Sequence, residues 1–375
     1  MAQQEQDMEL KPLPSRSVFV PRPEVIQGAI VFLATFLIYA WSAPRTVVLE
    51  DDGFFILAGY FNGIAHPPGY PLYTLLAHGA TLIPMGSVAL RVHLLSALLG
   101  ALACVCLWRI TFLLLRDRLA AGVAALSLGF SRVYWSQAII AEVYTFNVLL
   151  VLVVVLVALA VRQAGEGQQR DARVRLLFLC YGLALSNHWP LVVLSTPMFV
   201  ALLWHVRHQF PSSIRTGLPF LLLGLTPYLW MWSRSQMSPE MMFFGPIESF
   251  QDFWDYVRRK PYAEIDYSAS AGWIDKLQFA RYALVQAGAQ FAPLGWLLVL
   301  TGALVQWYRL PRDLCIALLL GFLGSSVMLS LLLGFDYDGY HVVIFQVYPL
   351  VAFAIAAIWL GLGLEFLLKI GRAHV

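Results

Sequence analysis

Apolar runs of about 20 residues, the length an α-helix needs to cross the hydrocarbon core of a bilayer, recur along almost the whole chain. In lipid the backbone must satisfy its own hydrogen bonds, so runs of this kind read as transmembrane helices. Candidate spans fall at about 25–43, 88–113, 119–137, 143–161, 175–189, 191–206, 217–233, 291–308, 314–334 and 342–368. The fifth and sixth are short and meet at Ser186-Asn187-His188-Trp189-Pro190, where they could form one tight hairpin that does not cross fully. Composition agrees: 59% of residues are hydrophobic and 13% charged, against about 25% charged in soluble domains. The expected fold is an all-α polytopic bundle, residues 25–370, preceded by a cytoplasmic tail, 1–24. A short tail, 371–375, follows the last span directly, as it would in a truncated chain.

Lys and Arg favour the cytoplasmic ends of short loops. With the N-terminus inside, the inner segments collect most of the 25 basic residues, from Lys11, Arg16 and Arg22 through Arg109, Arg116, Arg162 and Arg207 to Arg309 and Arg372. Two long outer loops result, 44–87 and 234–290. The net charge of +3 is spread along inner loops and gives no reason to expect nucleic acid as a partner. Residues 1–23 lack the pattern of a cleaved signal peptide. Cys104, Cys106, Cys180 and Cys315 all fall in predicted spans, without the spacing of a disulfide framework or a zinc site.

The first outer loop carries Glu50-Asp51-Asp52-Gly53 and then His66-Pro67-Pro68-Gly69-Tyr70-Pro71. Charged side chains at a membrane are expensive and mark substrate paths, proton relays or catalytic sites. Asp52 is placed to cap an interfacial helix with an apolar stripe at Phe54, Leu57, Ala58 and Phe61, ended by Pro67 and Pro68. A second helix is expected over about Leu72 to Ile83.

Glu142 stands at the outer end of a span and needs a partner, which Arg91 or Arg132 could supply. Asn187 and His188 lie at the outer turn of the short hairpin. In the second outer loop Phe250, Phe253, Trp254 and Val257 keep helical spacing, as an interfacial helix would, and Arg258 and Arg259 follow with guanidinium geometry suited to phosphate. Asp336-Tyr337-Asp338 is read as loop capping. No phosphate loop, dinucleotide fingerprint or zinc motif is present, and no cofactor is expected, although a divalent metal is compatible with the residues.

Asp51-Asp52-Gly53, Gly63-Ile64-Ala65-His66-Pro67-Pro68-Gly69-Tyr70-Pro71-Leu72 and Arg91-Val92-His93-Leu94-Leu95-Ser96-Ala97 together resemble the opening of the protein O-mannosyltransferase-like family, within the C-type (GT-C) membrane glycosyltransferases. Ala141-Glu142-Val143-Tyr144-Thr145 and Gly182-Leu183-Ala184-Leu185-Ser186-Asn187-His188 are similar to its later motifs. Phe253-Trp254, Arg258-Arg259 and Tyr262 match more loosely. The resemblance implies a polyprenyl-phosphate sugar donor, a hexose such as mannose, an extracytoplasmic site and a catalytic Asp in the first outer loop.

Carried over, the catalytic role falls on Asp51, with Asp52 beside it as the other candidate because it stands where the family has a small residue. His66, Arg91, Glu142, Tyr144, Asn187, His188, Arg258, Arg259 and Tyr262 are then expected to bind substrate. The acceptor is a hydroxyl on a protein, lipid or glycan. The expected location is a bacterial inner membrane with the site facing the periplasm, the endoplasmic reticulum membrane being the alternative. Two other functions fit an acidic outer loop: a transporter or lipid flippase gated by it, and an enzymatically silent assembly protein.

Overall fold

The computed structural model describes residues 23–262 and 268–373. Lys11, Arg16 and Arg22, and nearly all of the 1–24 tail, lie outside the described residues, as do the side chain of Arg372 and the last two residues. Helix α1 (Pro23–Ser42) leads into the first long loop, which holds α2 (Asp52–Tyr60) and α3 (Pro71–Thr81). Then come α4 (Val88–Leu115), α5 (Arg118–Gly129), α6 (Arg132–Ala138), α7 (Tyr144–Arg162) and α8 (Gln168–Leu202). Helices α9 (Phe210–Gly224) and α10 (Thr226–Ser235) precede the second long loop, with α11 (Phe250–Val257) and α12 (Trp273–Ala289). The chain closes with α13 (Gly295–Arg309), α14 (Arg312–Leu323), α15 (Leu329–Leu332), α16 (Gly339–Phe345) and α17 (Leu350–Ala373).

Among the described residues, α1, α4, α7, α8, the stretch Arg312–Leu332 and α17 are long and apolar enough to cross a membrane. The protein is an integral membrane protein. Helix α1 buries one stripe, Gly28, Val31, Thr35 and Tyr39, while Val25, Ile30, Leu33 and Leu37 are exposed on the rest of its surface. A helix apolar all round that buries only one stripe meets lipid with its other face. Helices α4, α7 and α17 form the centre, and α13 packs along α17 where Gly302 meets the carbonyl of Trp359. No side chain fits at that crossing, the close approach that small residues give helices in lipid.

Three expected spans are interrupted, 217–233 among them, which breaks at Leu225 between α9 and α10. Residues 119–137 break between α5 and α6 at Phe130-Ser131, where the Ser131 hydroxyl donates to the Leu128 carbonyl at 2.7 Å. Residues 342–368 break ahead of Pro349, which has no N–H to continue a helix. The short hairpin takes the form expected of it. Helix α8 leaves helical geometry at His188 (φ −143°, ψ 75°), and Tyr181 Oη lies 2.7 Å from Thr196 Oγ1, 15 residues on. Straight helix would put those residues about 22 Å apart, so the two halves fold back side by side.

In the first long loop, α3 forms where expected, with Pro71 at its first position. Helix α2 ends at Tyr60, not at the prolines. Its C-terminus is closed by Asn62 at φ 49° and by Gly63 N donating to Ala58 O at 2.8 Å. Its buried residues are Asp52, Phe55, Ile56, Ala58 and Gly59, and Phe54 and Leu57 face out. The two long loops are stitched together: Ile64 N donates to Met241 O (2.9 Å) and Phe243 N to Ile64 O (3.3 Å). Tyr256 Oη donates to Ala65 O (2.6 Å), and Arg234 Nε to Asn62 O (2.7 Å).

Candidate active site

The three adjacent acids occupy three different environments. Asp52 is fully buried. Its Oδ1 faces His93 Nε2 (2.7 Å) and accepts from Ala141 N (2.7 Å), and its Oδ2 accepts from Val48 N (2.9 Å). It therefore does not cap α2 as its position suggested, because its side chain turns inward to tie three segments together. The other nitrogen of His93 faces the Pro44 carbonyl at 2.7 Å. Both ring nitrogens thus meet oxygen acceptors, and one proton binds ring to carboxylate whichever carries it.

Asp51 has no such enclosure: its side chain is 41% exposed, and Oδ2 lies 3.1 Å from His66 Nε2, an ion-pair distance. Its backbone is fixed, with Asp51 N donating to Glu142 Oε1 at 3.2 Å. Glu50, at φ 69°, turns back to accept from Gln137 Nε2 at 2.9 Å.

Glu142 is buried, and neither Arg91 nor Arg132 reaches it. The expected ion pair is absent because Arg91 donates instead to the carbonyls of Thr81 (2.7 Å), Met85 (2.9 Å) and Gly86 (3.0 Å), bracing the turn between α3 and α4. Burial, then the negative charges of Asp51 and Glu50, hold the Glu142 carboxyl well above the usual carboxylate range. Burial likewise raises Glu50, with the Gln137 hydrogen bond opposing it. Glu142 Oε2 and Asn187 Oδ1 are buried with no partner among the described residues. The Asn187 amide donates to Val143 O at 3.3 Å. Buried polar atoms left unmatched at a protein's rim are where a polar ligand is met.

An aromatic wall extends from His66. Its ring packs on Phe55 (5.3 Å between centroids), Tyr70 (5.1 Å) and Tyr262 (5.9 Å). Tyr70 stacks in turn against His188 (5.4 Å), and His188 against Tyr144 (5.9 Å), which touches Tyr348 (5.7 Å). The α8 bend presents His188 here, because Pro190 cannot donate a backbone bond and Trp189 Nε1 is anchored on Val257 O at 2.8 Å. Arg259, at φ 64°, sits over the Tyr262 ring at 5.1 Å. Burial pushes the Tyr70 hydroxyl far up, and the nearby Arg259 charge opposes it. Arg258 turns the other way, to Asp255 (2.6 Å) and the Trp254 ring on its own helix.

Asp51, His66, Glu142, Tyr144, Asn187, His188, Arg259 and Tyr262 therefore converge, while Arg91 and Arg258 are engaged elsewhere. His93, Tyr70 and Tyr348 were not singled out for the site. His93 stands two residues after Arg91 in a motif already conspicuous, and that spacing was the available signal. Asp338 caps α16, accepting from His341 N at 2.8 Å, and Asp336 accepts from Ser270 Oγ at 2.8 Å, so the Asp-x-Asp is used in capping as expected. Among the described residues no group of three or more His, Cys, Asp or Glu is arranged to hold a metal ion.

An all-helical membrane bundle with an acidic, aromatic-walled rim shares its fold with solved GT-C structures. The structure of ArnT from Cupriavidus metallidurans bound to undecaprenyl phosphate superposes with a TM-score of 0.62 at 14% identity, over 91% of this chain and 60% of that one. The apo structure of the same protein gives 0.60 at 13% identity, over 93% and 61%. These likenesses establish the fold.

Residues 51–212 match the family model of the protein O-mannosyl-transferase TMEM260 N-terminal domain, so the resemblance read from the motifs holds. Protein O-mannosyl-transferase TMEM260 of Mus musculus is 30% identical over 254 residues, 66% of this chain and 36% of that protein. Its counterpart in Dictyostelium discoideum is 25% identical over 298 residues, 73% of this chain and 36% of that protein. The chain thus spans about a third of the length of these relatives.

Proposed function

We propose that this chain is a membrane glycosyltransferase that moves a hexose, such as mannose, from a polyprenyl phosphate to an acceptor hydroxyl on the extracytoplasmic face. The observation that carries the reading is the contrast within the acidic run: Asp52 is buried and saturated, whereas Asp51 is half-exposed, fixed through its backbone and within ion-pair distance of His66. A carboxylate with those properties is a general base. Asp51 takes the acceptor's hydroxyl proton as that oxygen forms its bond to the anomeric carbon. The bond from that carbon to the phosphate oxygen breaks on the opposite side, so the anomeric centre inverts. Arg259 lies where positive charge would steady the departing phosphate. Asn187 Oδ1 can accept from a sugar hydroxyl and the protonated Glu142 carboxyl can donate to one through Oε2, and Tyr70, Tyr144 and His188 offer faces for the ring.

The names of the relatives support the same chemistry, as does the undecaprenyl phosphate bound by ArnT. The donor is a substrate, so the scheme needs no cofactor. A protein hydroxyl is the acceptor most in keeping with the relatives. The endoplasmic reticulum membrane and a bacterial inner membrane both offer the required topology.

The test is transfer from a radiolabelled polyprenyl-phosphate hexose in membranes. Asp51→Asn should lower the rate by about 10²–10⁴-fold with the melting temperature unchanged. An undiminished rate would remove the general-base assignment. Orientation is checked by Glu240→Cys in the second long loop, which an impermeant maleimide should label from the extracytoplasmic side. Labelling only after permeabilisation would overturn that orientation.

A further inference from the structure

The end of the bundle opposite the acidic loop holds a second feature. Between α7, the two halves of α8 and α9 lies a cavity of about 250 Å³, lined almost wholly by apolar side chains such as Val174, Phe178, Phe199 and Val200. Its polar lining is Tyr181 and Thr196, which bond each other, together with Ser213 and Arg170. Arg170 is 94% buried, by its 6% relative exposure. Its Nη2 donates to Ser213 Oγ at 2.9 Å, and its Nε has no partner among the described residues. Eighteen residues of helix separate Arg170 from His188, about 27 Å, so this cavity is remote from the candidate active site.

A buried guanidinium without a carboxylate partner is costly, and an arginine meets phosphate through paired N–H donors. An apolar cleft of this volume suits one alkyl chain. The same end of the molecule carries Arg162, Arg173 and Arg175, with Arg162 paired to Asp313, Arg173 donating to Ala160 O and Arg175 over the Phe220 ring. Arg170 is thus the member of this basic group that both lines the cavity and keeps an unused donor.

We infer that this cleft is a binding site for a phospholipid, one acyl chain lying along Val174, Phe178 and Val200 and the phosphate meeting Arg170 and Ser213. The occupant is structural, joining the α8 hairpin to α9, and the site is independent of the transferase reading.

The experiment is native mass spectrometry of the purified full chain with equimolar phosphatidylglycerol and diacylglycerol, which has the same acyl chains and no phosphate. Wild type should retain phosphatidylglycerol with a preference of about tenfold, the worth of one charge-assisted hydrogen bond. Arg170→Gln should abolish the preference. Val200→Phe, at a half-exposed lining position, should abolish retention of either lipid. Glycerol 3-phosphate in excess should not displace the lipid. No preference in wild type, retention unaffected by Val200→Phe, or displacement by glycerol 3-phosphate would each overturn the assignment, the second pointing to lipid held elsewhere on the bundle and the last to a soluble phosphate. Transfer activity is not read in any arm, so its presence or absence leaves the result standing.

Discussion

The first long loop and helix α11 of the second hold their charges in opposite ways. In the first, Asp52 reaches His93 and Ala141, 41 and 89 residues away, and Asp51 N reaches Glu142 at 91. In the second, Ser249 and Asp252 close a capping box three residues wide, and Asp255 serves Arg258 and Lys260 at three and five residues. Bonds of the first kind draw segments from α1 to α7 into one geometry. Those of the second kind only finish a local helix and leave its charges in solvent. The lesson is that position in a charged cluster says little about function until the range of each bond is known.

The contrast can be broken most severely at Asp52. Asp52→Asn turns an amide NH2 toward one of the N–H groups that the carboxylate accepts from and disrupts the buried contact with His93, and breaking a buried pair of this kind costs about 3–5 kcal/mol. Thermal unfolding in detergent should show a large loss, and an unchanged melting temperature would deny the clamp. The seam between the loops comes next. Gly63→Ala puts a methyl group against the Met241 carbonyl, and overpacking of this sort costs about 1–3 kcal/mol. Proteolysis at residues 236–248 should accelerate in that variant, since the seam holds this segment down.

Glu142 sharpens the comparison through pH. Its carboxyl is raised by burial and by its acidic neighbours, so the folded protein binds that proton more tightly than the unfolded chain does. The stabilisation is complete below the unfolded value and is lost as pH rises through the folded one. Melting temperature should therefore fall across that window, with a slope of up to about 1.4 kcal/mol per pH unit from this group. Glu142→Gln should flatten it, and an identical slope in the variant would place the titration elsewhere. The smallest effect is expected from Arg258→Gln. Its partner Asp255, held down at about 2 chiefly by the Lys260 and Arg258 hydrogen bonds, keeps Lys260 when Arg258 is lost, and Arg258 is itself half-exposed, where ion pairs contribute little. The melting temperature should not move measurably.

Much of the architecture was legible in the chain itself. Hydropathy is a local sum, so the long apolar helices α1, α4, α7 and α17 stood out, and Pro190 beside His188 marked the hairpin bend. Pro71 after Gly69-Tyr70 announced α3, and the spacing of Phe250, Phe253 and Val257 announced α11, although its buried face proved to be Phe253 and Tyr256. The residues of the motifs also gather in space, Asp51, His66, Glu142 and His188 meeting at one end of the bundle.

What hydropathy and spacing could not divide was the labour within the acidic run. Three neighbouring carboxylates are chemically alike in sequence. They differ only because His93, Ala141 and Val48 reach one, His66 another and Gln137 the third. Arg91 was misassigned to Glu142 for the same reason, since both lie near one membrane face, yet the carbonyls of the α3–α4 turn are closer and already oriented. Apolar periodicity is fixed by the chain as it is read along its length. The exposure of a charge is fixed by which distant segments close over it, and only the assembled bundle decides that.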